Sequence, residues 1–351
     1  MPIKLRPTRR GSRLFPRLAW LALILAALYS AAWFGAAHLA GPYAQQWLQS
    51  EAAQGRQWAC NAPALSGFPF GFRLACAQPA LTVTSEAGAQ VFTAKSMLLS
   101  FDVFSPLQLA ARIEPPVTAK LKNGDTATLA ARDVKAVAEL QLGGAETSLR
   151  GLRLSAEAPD LVVTSATGRG FAAKAAQTRF TLSAAPGGQD LVFDAEGAKI
   201  PAMEALTQNP APATLHIAGL LEKFDLAGRG SPIERLERWR TAGGVLTFGK
   251  SALGNGATQL EFSGPLSLDE ERRLTGALAL SLTGGAPILQ RFGVPAAMLN
   301  PGGLLGTLLG KANKPAGPAA EAGAIRLTLT LQGGKALAGP LPLPVELKAL
   351  Y

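Results

Sequence analysis

Histidine and cysteine are scarce in this chain of 351 residues, and their scarcity limits its chemistry. The only histidines are His38 and His216, and the only cysteines are Cys60 and Cys76. Because His38 borders a long apolar run, these residues cannot assemble a four-ligand Cys/His zinc site. A Gly-x-Ser-x-Gly nucleophile elbow is also absent. We therefore expect no catalytic constellation, no cofactor and no metal site.

Charge is missing from Leu18 to Ala37, and no acidic residue occurs before Glu51. An apolar run of about 20 residues matches the hydrocarbon thickness of a bilayer. The flank before it is purely basic, and such flanks stay in the cytoplasm. The sequence thus predicts a cytoplasmic leader (1–17), a single-pass signal anchor in the inner membrane (18–38) and a periplasmic remainder. The basic flank consists of Lys4, Arg6, Arg9, Arg10, Arg13 and Arg17.

A cleaved signal peptide is the competing interpretation of this leader. Ser30-Ala31-Ala32 and Gly35-Ala36-Ala37 both satisfy the small-x-small pattern of a cleavage site. The apolar core of a signal peptide usually spans about 7–15 residues, which is shorter than this run. The length therefore favours an uncleaved anchor that holds the protein to the lipid bilayer.

The net charge of +10 does not indicate nucleic-acid binding. The leader holds six of the 34 basic residues, so the remainder has 28 basic against 24 acidic residues. That remainder shows no basic stripe with interleaved aromatic residues. We expect no nucleic-acid partner.

Cys60 and Cys76 both fall in the part of the chain predicted to be exported. An even pair in an oxidising compartment is most simply a disulfide. In the chain-entropy model, a loop of this size would stabilise the fold by roughly 3 kcal/mol. A metal pair and a catalytic thiol are the alternatives.

The segment between these cysteines alternates with a period of two, which predicts a strand. Pro69 would place this strand at a sheet edge or at a strand start, because proline removes a ladder donor. The apolar side of this predicted strand either packs in the core or forms a surface that binds an apolar ligand. The candidate ligand face consists of Phe68, Phe70, Phe72 and Leu74.

An internal repeat is visible between residues 71–85 and 151–165, which are identical at eight of fifteen aligned positions. It predicts two units of roughly 80 residues, near 71–150 and 151–230. Chance similarity between amphipathic strands is the alternative.

Short alternating segments continue to the C-terminus and are separated by Gly, Pro and Asn. We predict a mainly β protein: an N-terminal transmembrane helix, a stalk (39–57), and an elongated antiparallel β-sheet domain (58–351) with a few short helices. Helical signals lie near 232–241 and between 286 and 310, and residues 311–324 have the composition of a flexible loop.

Several short motifs accompany the apolar run: Trp58-x-Cys60, Gly67-Phe68-Pro69-Phe70 with Cys76 and Pro79, Trp239 with Gly243-Gly244, Leu266 to Asp269, and Gly276 to Leu278. Together with the predicted anchor, they resemble an uncharacterised family of Gram-negative, mostly alphaproteobacterial, envelope proteins known as domain of unknown function 2125. The resemblance implies a periplasmic β-rich domain on an inner-membrane anchor, and it implies no activity.

Three functions are compatible with this organisation. The first is a non-enzymatic envelope protein whose β domain binds a lipid-like ligand or supports envelope assembly. The second is a structural or protein-interaction module of the envelope with a closed core. The third is a cell-wall or glycan hydrolase, which we disfavour because His216, within an apolar strand, is more typical of a structural histidine.

Overall fold

The computed structural model describes residues 14–85, 88–121, 124–143, 146–168, 170–226, 232–285, 288, 324–339 and 341–351. It is mainly β, with an N-terminal apolar helix, a large antiparallel sheet and a few short helices, which confirms the predicted fold class.

The helices are α1 (Leu14–Ala53), α2 (Pro201–Thr207) and α3 (Pro232–Thr241). The first strands are β1 (Arg56–Ser66), β2 (Gly71–Ser85), β3 (Gly88–Thr93), β4 (Ser96–Asp102), β5 (Ser105–Glu114), β6 (Val117–Lys120), β7 (Thr126–Ala130), β8 (Asp133–Gly143), β9 (Glu146–Glu157) and β10 (Asp160–Thr164). The others are β11 (Gly170–Lys174), β12 (Gln177–Ala185), β13 (Gly188–Ala198), β14 (Ala213–Glu222), β15 (Leu246–Asn255), β16 (Thr258–Leu268), β17 (Leu274–Thr283), β18 (Ile325–Gln332), β19 (Lys335–Ala338) and β20 (Leu341–Glu346).

The sheet is an up-and-down meander in which each ribbon pairs with the ribbon that follows it in the chain. Five ribbons are bent, so each of them counts as two strands: β3 with β4, β5 with β6, β7 with β8, β9 with β10, and β11 with β12. Both halves of each bent ribbon pair with the same neighbour, as β4–β5 and β3–β6 show. From β12 onward the order is simply sequential to β20.

The bends lie at one level and form a crease across the first half of the sheet. Three positions at this level combine a left-handed residue with a following proline: Ala62 in β1 (φ 46°), Gln78 in β2 (φ 49°) and Ala158 between β9 and β10 (φ 47°). Backbone hydrogen bonds continue through the crease, for example from Gln78 to the carbonyl of Lys95 (3.0 Å) and from Ala158 to that of Ala176 (2.8 Å). The bends therefore redirect the sheet without interrupting its pairing.

Neighbouring strands are aligned so that apolar residues pair with apolar residues. Side chains of directly paired residues lie on the same face, so the register produces continuous apolar rows. We call the surface formed by these rows the apolar face. Its central row is Leu74, Leu99, Ala111, Ala136, Leu154, Phe180, Phe193 and Ile217. A second row runs through Phe72, Phe101, Leu109, Ala138, Leu152, Leu182 and Leu191.

The opposite face is polar, because the alternate residues of the same strands point there. We call it the polar face. One of its rows is Arg112, Lys135, Ser155, Arg179, Asp194 and His216.

Of the buried hydrophobic side chains in the described part of the chain, seven form two small clusters, and Cys76, Ala156, Leu182 and Trp239 are buried outside them. One cluster joins Leu266, Leu278, Leu331 and Ala336 near the C-terminus of the sheet. Another consists of Ala195, Ala198 and Ala213 beside α2. Most residues of the two apolar rows are only half-buried.

Other predicted elements can now be placed. The predicted stalk (39–57) is helical up to Ala53, because α1 continues without a break through Pro42, and its last two residues belong to β1. In α3, Trp239 packs inward and donates its indole N–H to the carbonyl of Glu222 (2.7 Å). The second helical signal and the loop, residues 286–323, lie outside the described residues except for Ile288. The internal repeat stays a prediction, although Gln78 and Ala158 occupy equivalent positions in its two copies.

Candidate functional site

The apolar face offers a large surface of half-buried hydrophobic side chains at the centre of the sheet. Leu154 pairs with Phe180, Phe180 with Phe193, and Phe193 with Ile217. Leu154 is 39% exposed, and the two phenylalanines and Ile217 are half-buried. Strand pairing alone positions these side chains, because each is fixed to its neighbour by ladder hydrogen bonds on both sides. The arrangement can hold an apolar molecule by contact and provides no reactive group.

The four residues of the predicted ligand face divide into two pairs. Phe72 and Leu74 lie in β2 on the apolar face, opposite Phe101 and Leu99. Phe68 and Phe70 lie in the turn before β2, so the predicted strand begins at Gly71 and not at Gly67.

A tight turn explains this correction. Gly67 adopts a φ of +115°, and the amide of Gly71 donates to its carbonyl (3.1 Å), which closes the turn before the ladder starts. Pro69 sits inside the turn, where it needs no ladder partner. Pro69 thus occupies neither position predicted for it: it precedes the strand start at Gly71, and β2 is no edge strand, because it has β1 on one side and β3 with β4 on the other.

The turn of residues 67–70 packs against α1 through an aromatic cluster that the sequence did not reveal. The indole of Trp33 stacks on Phe72 with centroids 5.0 Å apart and donates to the carbonyl of Gly71 (3.1 Å). Phe34 stacks on Phe68 at 5.5 Å, and the hydroxyl of Tyr29 donates to the carbonyl of Pro69. The middle of α1 is therefore fixed to the start of the apolar face.

Next to this turn lies the turn between β4 and β5. The rings of Phe70 and Phe104 are 6.1 Å apart, and the amide of Val103 donates to the carbonyl of Phe70 (3.0 Å). Phe70 is 62% exposed and Phe104 is 77% exposed. We call residues 67–70 and 103–104 the paired turns. Sequence reasoning missed Phe104, because only the strand register brings it beside Phe70.

The C-terminal half of α1 is also tied to the sheet. Arg56 in β1 forms an ion pair with Glu51 in α1 (2.6 Å), and this hydrogen bond lowers the pKa of the Glu51 carboxyl. The rings of Trp47 and Trp58 lie 6.1 Å apart across the same contact. In addition, Cys60 and Cys76 form a disulfide between β1 and β2, in agreement with the predicted pair. Helix α1 therefore contacts the sheet at two places, around Trp33 and around Trp47, and the disulfide joins the first two strands to each other.

His216 lies on the polar face, where its Nδ1 is 2.7 Å from a carboxylate oxygen of Asp194. The two residues are cross-strand partners in β13 and β14, and both side chains are well exposed. Among the described residues, no group of three or more His, Cys, Asp or Glu side chains could hold a metal ion. A surface pair of this kind is compatible with a structural role.

One phosphate-loop spacing does occur, at Gly244 to Ser251 (Gly-x4-Gly-Lys-Ser). A phosphate loop requires a glycine-rich turn before a helix, so that free amides can point at the ligand. Here Leu246 to Ser251 belong to β15, which pairs with β14 and β16. The spacing is therefore part of a sheet and cannot cradle a phosphate.

The polar face has a depression of about 600 Å³ at the crease, near Arg112, Glu114, Arg132 and Asp133. Within this depression, the Asp133 carboxylate forms ion pairs with Lys135 (2.7 Å) and Arg112 (2.8 Å). The hydrogen bond from Lys135, together with the one from Arg112, lowers the pKa of Asp133. Glu114 is likewise paired with Lys95, so neither carboxylate of the depression is free for a ligand.

Comparisons with known proteins give one match. A family model described as "Uncharacterized protein conserved in bacteria (DUF2125)" matches residues 33–344. No curated protein and no solved structure matches the chain.

Proposed function

The chain belongs to the DUF2125 family of uncharacterised bacterial proteins, and from this premise we propose that it is a non-catalytic, membrane-anchored protein whose apolar face holds a lipid-like ligand. The family membership confirms the resemblance carried by Trp58, Cys60 and the Gly67–Phe70 turn. The apolar face is the single observation that carries the proposal. Lipid chains are recognised by such extended apolar surfaces without catalytic groups.

The anchor is supported by α1. It is the one helix of the described chain that is long and apolar enough to cross a membrane. The basic leader before Leu18 favours a cytoplasmic N-terminus and a periplasmic sheet in an inner membrane. The disulfide supports the same compartment, because such bonds persist where the surroundings are oxidising.

The burial of the apolar face favours a ligand over a closed core. A core side chain such as Phe193 would normally be packed on all sides, whereas the central row of this sheet remains partly accessible. Exposed apolar patches of more than a few hundred square ångströms mark sites for ligands, membranes or other proteins. An envelope-assembly role, in which another protein covers this face, is the second candidate and is favoured by the same exposure.

Photocrosslinking in living cells separates these candidates. A benzophenone amino acid would replace Phe180, an aromatic residue on the apolar face, or its neighbour Arg179, which lies on the polar face as a matched control. Phe180 lies five ribbons from β2, about 24 Å along the sheet, so a reactive group there is distant from the bilayer beside α1. Cells would be grown in radioactive phosphate and irradiated, and the full-length protein would then be purified.

A phosphate-labelled adduct at position 180 that is absent at position 179 is the expected result. A protein adduct of defined mass at position 180 would support the envelope-assembly role instead. If positions 179 and 180 both fail to capture any molecule, the apolar face has no ligand and the proposal is wrong.

A further inference from the structure

We propose that the paired turns, residues 67–70 and 103–104, are immersed in the membrane leaflet on the side opposite the basic leader. The ligand is the acyl-chain region of the bilayer. The inference rests on the proposed function only in taking α1 as inserted. It adds a second membrane contact, made by the β domain itself.

The paired turns contact α1 at known positions along the helix. Tyr29 donates to the carbonyl of Pro69, and Trp33 donates to the carbonyl of Gly71. The apex of the first turn therefore lies beside Tyr29, and the start of β2 lies beside Trp33. The second turn is held next to the first by the Phe70–Phe104 ring contact.

The start of the apolar span fixes how deep Tyr29 and Trp33 lie in the bilayer. The span cannot begin before Leu18 without taking in the charge of Arg17. Even a short span of about 17 residues then reaches Phe34. At 1.5 Å per residue, Tyr29 lies about 7 Å inside that boundary. A span of this length gives the depth of about 5–10 Å at which interfacial elements bury their apolar side chains, and the full predicted anchor of residues 18–38 would place Tyr29 about 6 Å deeper.

The paired turns expose phenylalanine side chains. Phe68 is 46% exposed, and Phe70 and Phe104 are exposed still further. Aromatic side chains that face water at two adjacent turns are costly in an aqueous setting and favourable at a membrane interface.

The nearest charges agree with this depth. Asp102 pairs with Gly71, which Trp33 contacts, so the carboxylate lies close to the boundary at Phe34. It accepts a hydrogen bond from the amide of Phe104 (2.8 Å). Arg73 and Asp102 line the same surface depression, where both can reach the headgroup region. Only the turns themselves, which carry no charged residue, extend further into the leaflet.

If the paired turns are immersed, the apolar face is continuous with the acyl-chain region of the bilayer. Phe72 and Phe101 begin the second apolar row directly above the turns. An acyl chain could then pass from the leaflet to the sheet along apolar side chains without crossing water.

The experiment uses the full-length chain in phosphatidylcholine–phosphatidylglycerol vesicles. Single cysteines would replace Phe104, Leu25 in α1, and Ala166, an exposed turn residue at the opposite end of the sheet, and each would carry an environment-sensitive fluorophore. The wild-type protein, whose cysteines are joined, should take up no label. Quenching would be measured with lipids that carry a spin label at carbon 5 or at carbon 12 of the acyl chain.

We expect quenching by the carbon-5 label to be about threefold stronger at position 104 than at position 166, and stronger than by the carbon-12 label, as a shallow insertion requires. Strong quenching at position 25 with none at position 104 would overturn the immersion and leave the anchor intact. Loss of quenching at both positions would refute the anchor itself. A mature chain that lacks Tyr29 by intact mass would also overturn the inference.

Discussion

Replacing Gly244 with alanine should destabilise the protein by disturbing Trp239. A Cβ at position 244 would lie 2.2 Å from Nε1 and 2.3 Å from Cδ1 of the indole. Real Cβ contacts rarely fall below about 3.4 Å, so the ring would have to move by more than about 1 Å. Trp239 is only 6% exposed and has little room to move.

The cost has two parts. Overpacking a tight site typically costs about 1–3 kcal/mol. Moving the indole also breaks its hydrogen bond to the carbonyl of Glu222 (2.7 Å), and leaving that carbonyl unsatisfied costs about 1–3 kcal/mol. The variant should therefore lose about 2–6 kcal/mol of unfolding free energy, which for a chain of this size corresponds to a fall in Tm of about 3–9 °C.

The assay is thermal unfolding of the full-length protein in detergent, followed by circular dichroism. Gly249→Ala is the matched control, because its Cβ would meet nothing closer than a carbonyl oxygen at 3.8 Å. In a Trp239→Ala background, Gly244→Ala should cost almost nothing, since the clash is gone. Equal Tm values for Gly244→Ala and Gly249→Ala would refute the reasoning.

Three further predictions concern the disulfide, the C-terminal contact and the orientation. The double variant Cys60→Ser/Cys76→Ser should lose roughly 3 kcal/mol in denaturant unfolding, because the crosslink restricts the unfolded chain; an unchanged midpoint would contradict this. Hydrogen bonds from Arg240 and Tyr351 lower the pKa of Glu237 from 4.5 to about 2, so the Tyr351 contact should be complete above pH 4.5 and lost as the pH falls towards 2. Ring-labelled tyrosine NMR would follow it, and a Tyr351 signal that stays constant over this range in the wild-type protein would speak against the contact. Alkaline phosphatase fused after Tyr351, which is active only outside the cytosol, should be active in the wild type and lose activity when the basic residues of the leader are replaced by glutamine; an inactive wild-type fusion would argue for the opposite orientation.

Local sequence patterns predicted the classes of element well. The alternation of Ile325, Leu327 and Leu329 with polar residues predicted a strand, and β18 has that pattern. The uncharged run from Leu18 predicted an apolar helix, and α1 contains it. Such signals succeed because they depend only on the period of side-chain direction within one element.

Element boundaries and special backbone positions were harder to predict. The alternation of Phe68 and Phe70 suggested that the strand extended through them, but the φ of Gly67 and its bond to Gly71 made a turn there. The crease was invisible as well, although Pro79 and Pro159 mark two of its bends. A period of two is the same in a strand and in a short extended turn, so the pattern could not separate them.

The sequence by itself determined the apolar N-terminal helix, the pair of cysteines and the two-faced character of the strands, because each follows from composition or from spacing along the chain. The tertiary structure alone decided which strands are neighbours, how their apolar residues align into rows, and that the paired turns meet α1 at Tyr29 and Trp33. These arrangements depend on register and packing between residues far apart in sequence, and a local pattern carries no information about which distant partner satisfies it.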